Sequence, residues 1–107
     1  MASVAQVLAW RPRPGRLEDF IKIAARADKM LRKFGATTRT LNNLVAGDQA
    51  GSIMYVIECT DMNAFGALQS RMQTDKEWQA FIAEVNSDRS PTADFVGSSL
   101  YTEVAVA

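Results

Sequence analysis

The stretch Ser52-Ile53-Met54-Tyr55-Val56-Ile57-Glu58-Cys59 is the most apolar part of the 107-residue chain, and it decides the fold. Its hydrophobic run is far shorter than the roughly 20 residues that a membrane helix needs, and its β-branched and aromatic side chains are typical of a strand. Alternate positions are apolar on both sides of the strand. We therefore expect a central strand with both faces covered, because a strand with one face in water alternates between apolar and polar residues.

A second strand of the same kind is predicted for Val4 to Trp10, where Gln6 is the single polar interruption. Arg11-Pro12-Arg13-Pro14-Gly15 should end it, because proline cannot donate a hydrogen bond to a sheet ladder. The more polar segments Thr37 to Ala46 and Phe95 to Val106 are typical of edge strands. Gly47 to Gly51 predicts the hairpin loop that leads into the central strand.

Helical periodicity begins at Leu17, and Gly35 is expected to end the helix because it tolerates a left-handed conformation. Asp61 can cap a second helical segment through its side chain. Thr74 and Glu77 fit a capping box for a further start, which leads to a stripe that runs to about Asn86. The predicted buried stripe of the first helix consists of Leu17, Phe20, Ile21, Ala24, Ala27, Leu31 and Phe34.

The resulting order is strand, helix, strand, strand, helical segment, strand, which predicts one α+β domain over residues 1–107 with the ferredoxin-like βαββαβ fold. Right-handed crossovers place the first and third strands at the centre of a four-stranded antiparallel sheet. Helices then cover one face of the sheet, and the other face keeps apolar side chains, each worth about 1.5–3 kcal/mol when buried. We therefore expect a homodimer in which the two open faces pack together into an α+β barrel, the alternative being that a tail of the chain or a different protein covers this face.

Composition excludes several classes of function. Lys and Arg total 12 and Asp and Glu total 12, so the net charge is zero and nucleic acid is not an expected partner. The chain has no His and no ligands at metal spacing, so no metal and no cofactor are predicted. A single cysteine, Cys59, cannot form an internal disulfide, and no stretch reads as a signal peptide or membrane helix. These observations predict a cytoplasmic protein that does not bind membranes.

The chain resembles the dimeric α+β barrel superfamily, which includes the antibiotic biosynthesis monooxygenases and the NIPSNAP proteins. The resemblance rests on Trp10 to Arg16 with Phe20, on Ala46 to Ser52 leading into Tyr55-Val56-Ile57-Glu58, and on Asp75-Lys76-Glu77-Trp78. It implies the fold, the homodimer and a small-molecule pocket. Members that degrade haem and the polyketide cyclases of this fold depend on a histidine, so the lack of His argues against those activities.

From this we expect a small apolar or aromatic molecule to be bound or processed in a pocket between helices and sheet. One alternative is a cofactor-independent monooxygenase, and another is a non-catalytic structural or regulatory dimer. The sequence assigns no catalytic residue and does not decide whether the protein is an enzyme. The candidate ligand-binding residues are Trp10, Arg39, Asn43, Tyr55, Glu58, Trp78 and Tyr101.

Each candidate also has a structural interpretation. Trp10, Trp78 and the two tyrosines could serve packing alone, since aromatic side chains dominate protein cores. Arg39 could pair with Glu58 or Glu103 across the sheet rather than bind an anion. Glu58 could act as a base if it were buried without a partner, or it could simply reach water at the end of its strand.

Overall fold

The computed structural model describes residues 3–44, 51–87 and 91–106. The four strands form one antiparallel sheet in the order β2-β3-β1-β4, so the predicted ferredoxin-like α+β fold is confirmed, with the first and third strands at the centre. The predicted hairpin loop at 47–50 lies outside the described residues. The elements are β1 (Val4–Pro12), α1 (Leu17–Lys33), β2 (Thr37–Asn42), β3 (Ile53–Cys59), α2 (Met62–Thr74), α3 (Lys76–Asn86) and β4 (Ala93–Thr102).

Strand register shows which side chains face the helices. Leu8 of β1 lies opposite Tyr55 of β3, and both residues contact the core that the helices form on the sheet. Since paired residues share a face, the helix-facing rows are Val4, Gln6, Leu8 and Trp10 in β1 and Ile53, Tyr55, Ile57 and Cys59 in β3. The opposite, open face carries Ala5, Val7 and Ala9 of β1 and Met54, Val56 and Glu58 of β3.

Helix α1 ends as the sequence predicts. Gly35 has φ of +95°, and its N–H donates to the carbonyl of Arg32 at 3.1 Å. The N–H of Ala36 donates to the carbonyl of Leu31 at 3.0 Å, which completes a Schellman motif. This turn sends the chain directly from α1 into β2.

The buried face of α1 differs from the predicted stripe at its N-terminal half. Leu17 and Ile21 are 48% and 44% exposed, whereas Met30, which was not part of the stripe, is buried. Ile21 lies beside residues 38–40 of β2, above the free edge of the sheet. The stripe was wrong there because the sheet ends at β2, so this side of the helix has nothing to pack against.

The boundaries of three strands also differ from the prediction, and β2 ends at Asn42 rather than continuing towards Ala46. β1 continues two residues further than expected, with Pro12 opposite Ala93, and the N–H of Arg13 still donates to the carbonyl of Thr92 at 2.8 Å. β3 pairs with β1 only as far as Trp10. Beyond that point β1 has a free side, and a proline is tolerated there. β4 spans Ala93–Thr102 rather than reaching Val106.

The two caps in the second half of the chain had different outcomes. Asp61 accepts a hydrogen bond from the N–H of Ala64 at 2.8 Å, as predicted. The capping box at Thr74 was wrong, because Thr74 is the last residue of α2 and its hydroxyl donates to the carbonyl of Ser70 at 3.1 Å. Asp75 caps α3 instead, and its carboxylate accepts from the N–H of Trp78 at 2.8 Å.

Replacement of Asp75 by alanine should lower the free energy of unfolding by about 1 kcal/mol, the usual loss for an N-cap. Thr74→Ala is the matched control and should cost clearly less, because Thr74 caps no helix. Urea denaturation followed by circular dichroism measures both. An equal or larger loss for Thr74→Ala would contradict the assignment of the cap to Asp75.

Candidate functional site

A cavity of about 510 Å³ lies between the helices and the sheet. Its size falls within the range of small-molecule sites, and its walls are mainly apolar, as such sites usually are. Leu8, Trp10, Tyr55 and Ile57 form the sheet side. The helix side is formed chiefly by apolar residues of all three helices: Phe20, Ile23, Ala24, Ala27, Leu31, Met72, Trp78, Phe81, Ile82 and Val85.

Three of the candidate residues meet at this cavity, namely Trp10, Tyr55 and Trp78. Trp78 is only 8% exposed, and its ring centroid lies 5.6 Å from that of Phe81 and 6.5 Å from that of Phe34. The cap at Asp75 fixes the first turn of α3 and so places Trp78 over the sheet. Trp78 thus belongs to the buried core and also lines the cavity.

Trp10 belongs to the helix-facing row of β1, in which it follows Leu8. Its ring centroid is 6.0 Å from that of Phe20 on α1 and 5.0 Å from that of Phe95 on β4. Its position at the β1 end that leads towards the Pro-Gly turn makes it part of the wall near Thr92 and Ala93. Aromatic rings from β1, α1 and α3 thus line the cavity.

The other candidates lie outside the cavity. Arg39 and Glu58 form an ion pair on the open face of the sheet, one of the pairings that the sequence allows. Tyr101 lies opposite Ala5 on that same face and is 57% exposed. Asn43 follows β2, where its N–H donates to the carbonyl of Ser52 and its carbonyl accepts from the N–H of Gly51. The structure therefore does not bring these four residues together with Trp10, Tyr55 and Trp78.

Four uncharged polar residues that line the cavity were not among the candidates: Gln6, Gln69, Asn86 and Thr92. Gln6 did carry a signal in the sequence, since it is a lone polar residue in an apolar strand and shares the alternation of Leu8 and Trp10. Gln69 carried no such signal in the sequence, because glutamine is a common residue among the polar positions of a helix.

The charged residues that line the described part of the cavity neutralise each other. Arg26 of α1 and Glu84 of α3 form a forked ion pair, with Nη2 and Oε2 2.5 Å apart, and the guanidinium lies 4.8 Å from the centroid of the Phe81 ring. The hydrogen bond from Arg26 holds the pKa of Glu84 below its usual value. Both side chains are about half exposed, so the pair belongs to the rim and links α1 to α3.

Tyr55 presents its ring to the cavity and keeps its hydroxyl buried. Among the described residues the hydroxyl has no well-formed hydrogen bond, and it lies near Thr38 and the Asp28–Arg32 ion pair. Burial raises the pKa of Tyr55 to about 12, with the nearby Thr38 hydroxyl acting weakly in the opposite direction. Tyr55 is therefore neutral at physiological pH and cannot serve as a base.

Other reactive groups are few in the part of the chain that the structure describes. Cys59 is buried, and its burial together with the nearby Asp61 raises the pKa of the thiol, which disfavours the nucleophilic thiolate. Within residues 3–44, 51–87 and 91–106, no three acidic or cysteine side chains gather into a possible metal site. The described helices include none that is both long and apolar enough to cross a membrane.

Comparison with solved structures supports the fold assignment. A NIPSNAP family protein from Agrobacterium tumefaciens superposes with a TM-score of 0.67 at 11% identity, over 97% of this chain and 93% of that one. A NIPSNAP domain protein from Burkholderia xenovorans gives 0.67 at 17% identity, over 97% and 95%. The chain has the fold of the NIPSNAP proteins. No protein-family profile and no curated protein sequence matches it.

The same NIPSNAP-type fold occurs in a cofactor-independent oxygenase from Streptomyces nogalater, which superposes with a TM-score of 0.66 at 14% identity, over 99% of this chain and 97% of that one. The predicted resemblance to NIPSNAP and monooxygenase-like proteins is thus confirmed at the level of the fold. Identities this low say nothing about which residues perform a shared chemistry, so function has to be argued from the cavity itself.

Proposed function

We propose that this protein binds a small apolar or aromatic molecule in the cavity between its helices and its sheet. The observation that carries the proposal is the cavity of about 510 Å³, bordered by aromatic rings and by aliphatic side chains from all three helices. The cavity reaches solvent at the rim formed by Arg26 and Glu84, so a ligand of this kind could enter it and bury its apolar surface against these walls.

The proposal is tested by binding of 2-naphthol, a neutral two-ring probe, measured by equilibrium dialysis. Ala27 lines the cavity from α1, so Ala27→Phe should fill part of it and weaken binding at least about tenfold. Ala80→Phe adds the same ring to an exposed position of α3 and should leave binding unchanged. Equal affinities for the wild type and Ala27→Phe would place the probe elsewhere and contradict the proposal.

A cofactor-independent monooxygenase is the second candidate, and the structural neighbour from Streptomyces nogalater favours it. In such a reaction the bound aromatic substrate would itself supply the electrons that reduce O₂, so a cavity that excludes water would be required. Oxygen consumption with a panel of polycyclic phenols and quinols tests this. Binding without oxygen uptake would leave a binding protein, and an absence of both would favour a structural or regulatory dimer.

We also propose that two copies of the chain pack through the open faces of their sheets, as a cytoplasmic homodimer. Leu41 and Tyr101 flank this face with 47% and 57% of their surface exposed, and the row along β1 consists of Ala5, Val7 and Ala9. Small side chains along a central strand allow a second sheet to approach to about 10 Å. The Arg39–Glu58 ion pair leaves this part of the face without net charge.

A further inference from the structure

We propose that Gln6 and Gln69 select the ligand by hydrogen bonding to a neutral hydroxyl or carbonyl group that it carries. The cavity would then prefer an uncharged aromatic molecule with one polar substituent to a pure hydrocarbon or to a charged molecule. This inference rests on the proposed binding function. It adds the chemical class of the ligand and the residues that recognise it.

Gln6 occupies the middle of the helix-facing side of the sheet. In β1 it lies between Val4 and Leu8, and across the neighbouring strands it lies opposite Ile57 and Leu100. Every one of these neighbours is apolar. A glutamine here places an amide on the floor of the cavity, where a leucine or valine would complete the core.

The amides of both glutamines have unused hydrogen-bonding capacity. A glutamine side chain offers two donors and an acceptor with two lone pairs. Within the described residues, the Gln6 amide makes a single long hydrogen bond, from Nε2 to the hydroxyl of Ser98 at 3.4 Å. The Gln69 amide makes none to any described side chain or backbone group. Neither amide is among the buried unsatisfied groups of the described residues, so both reach solvent, and a ligand in the cavity would exchange those water contacts for direct hydrogen bonds.

The charges of the cavity wall argue that this ligand group is neutral. Arg26 and Glu84 satisfy each other at the rim, so the described wall offers no unpaired cation or anion. A carboxylate or an ammonium group in this cavity would lose its hydration without gaining an opposite charge. Amide groups, by contrast, donate to a carbonyl and accept from a hydroxyl equally well.

Three probes of similar shape test the selection by equilibrium dialysis at pH 7: naphthalene, 2-naphthol and 2-naphthoate. The wild type should bind 2-naphthol about tenfold more tightly than naphthalene and bind 2-naphthoate most weakly. Gln6→Leu and Gln69→Leu should each reduce the preference for 2-naphthol to about threefold or less, while naphthalene binding stays the same or improves. Leucine has a similar volume and suits an apolar wall, so both variants should fold.

Gln73→Leu is the matched control, because Gln73 lies exposed on the same helix as Gln69 and does not line the cavity. It should keep the wild-type preference. If naphthalene and 2-naphthol bind the wild type equally, or if both cavity variants keep the wild-type ratio, the selection by Gln6 and Gln69 is wrong while the binding function stands. If none of the three probes binds, both proposals are wrong.

Discussion

Replacing Trp78 by alanine should lower the free energy of unfolding by about 3–5 kcal/mol, the usual cost of removing a large aromatic side chain from a core. Trp78 is almost fully buried and contacts the rings of Phe34 and Phe81. Phe34 is the C-cap residue that follows α1 and Phe81 belongs to α3, so the indole joins the ends of two helices above the sheet. Loss of the indole would also enlarge the cavity that Trp78 lines.

The size of this effect matters, because small domains are stable by only about 5–15 kcal/mol in total. Urea denaturation followed by circular dichroism measures it, since Trp78→Ala should shift the transition strongly towards lower urea. Leu17→Ala is the control, because Leu17 is about half exposed and its truncation should cost less than about 1 kcal/mol. A loss for Trp78→Ala no larger than that for Leu17→Ala would show that the indole is not part of the core.

The order and pairing of the strands could be predicted because their signals are local and strong. The apolar runs at residues 4–10 and 53–59 are long enough for strands and too short for helices that cross the sheet. The helix between them ends at Gly35, whose positive φ leaves little choice about where the chain turns. Once these elements are placed, the preference for right-handed crossover connections decides which strands are central in the sheet.

The details that failed depend on the surroundings of a residue rather than on its neighbours in sequence. Thr74 and Asp75 are both good caps, and the choice between them depends on whether α2 keeps Thr74 in its last turn, which it does. Leu17 and Ile21 fit the apolar stripe, yet both are about half exposed, and Ile21 lies beside β2 at the edge of the sheet. The spacing of apolar residues in the sequence predicts neither the position of the cap nor the exposure of these two side chains.

The candidate ligand-binding residues lie partly at the cavity and partly outside it for a related reason. Tyr55 and Glu58 are three residues apart in one strand, so alternation already places them on opposite faces. Because both faces of β3 are mainly apolar, the sequence did not show which of the two faces the helices. The structure shows that Tyr55 does, and it also makes Gln6 a residue of the cavity through its shared row with Trp10.

Replacing Val7 by glutamate should convert the protein from a dimer to a monomer. Val7 is the middle residue of the open-face row of β1, and it lies opposite Val56 in β3 and Ser99 in β4. In the proposed dimer this position lies near the centre of the sheet-to-sheet contact, so each copy would bury an unpaired carboxylate. Such burial costs several kcal/mol per charge, enough to reduce the association constant by several orders of magnitude.

Light scattering after size-exclusion chromatography measures the outcome at micromolar concentration. The wild type should show twice the mass of one chain, and Val7→Glu the mass of one chain. Ala80→Glu, which adds the same charge to the exposed side of α3, should remain a dimer. A wild-type mass of a single chain, or a Val7→Glu variant that stays dimeric, would contradict the interface.

Binding of 2-naphthol separates loss of assembly from loss of folding in Val7→Glu. The cavity and the open face lie on opposite sides of the same sheet, so a folded monomer should retain a formed cavity. Its affinity for the probe should stay within about threefold of the wild type if each copy builds its cavity alone. A monomer that keeps its circular dichroism spectrum and still binds the probe would show that assembly and ligand binding use different faces of one sheet.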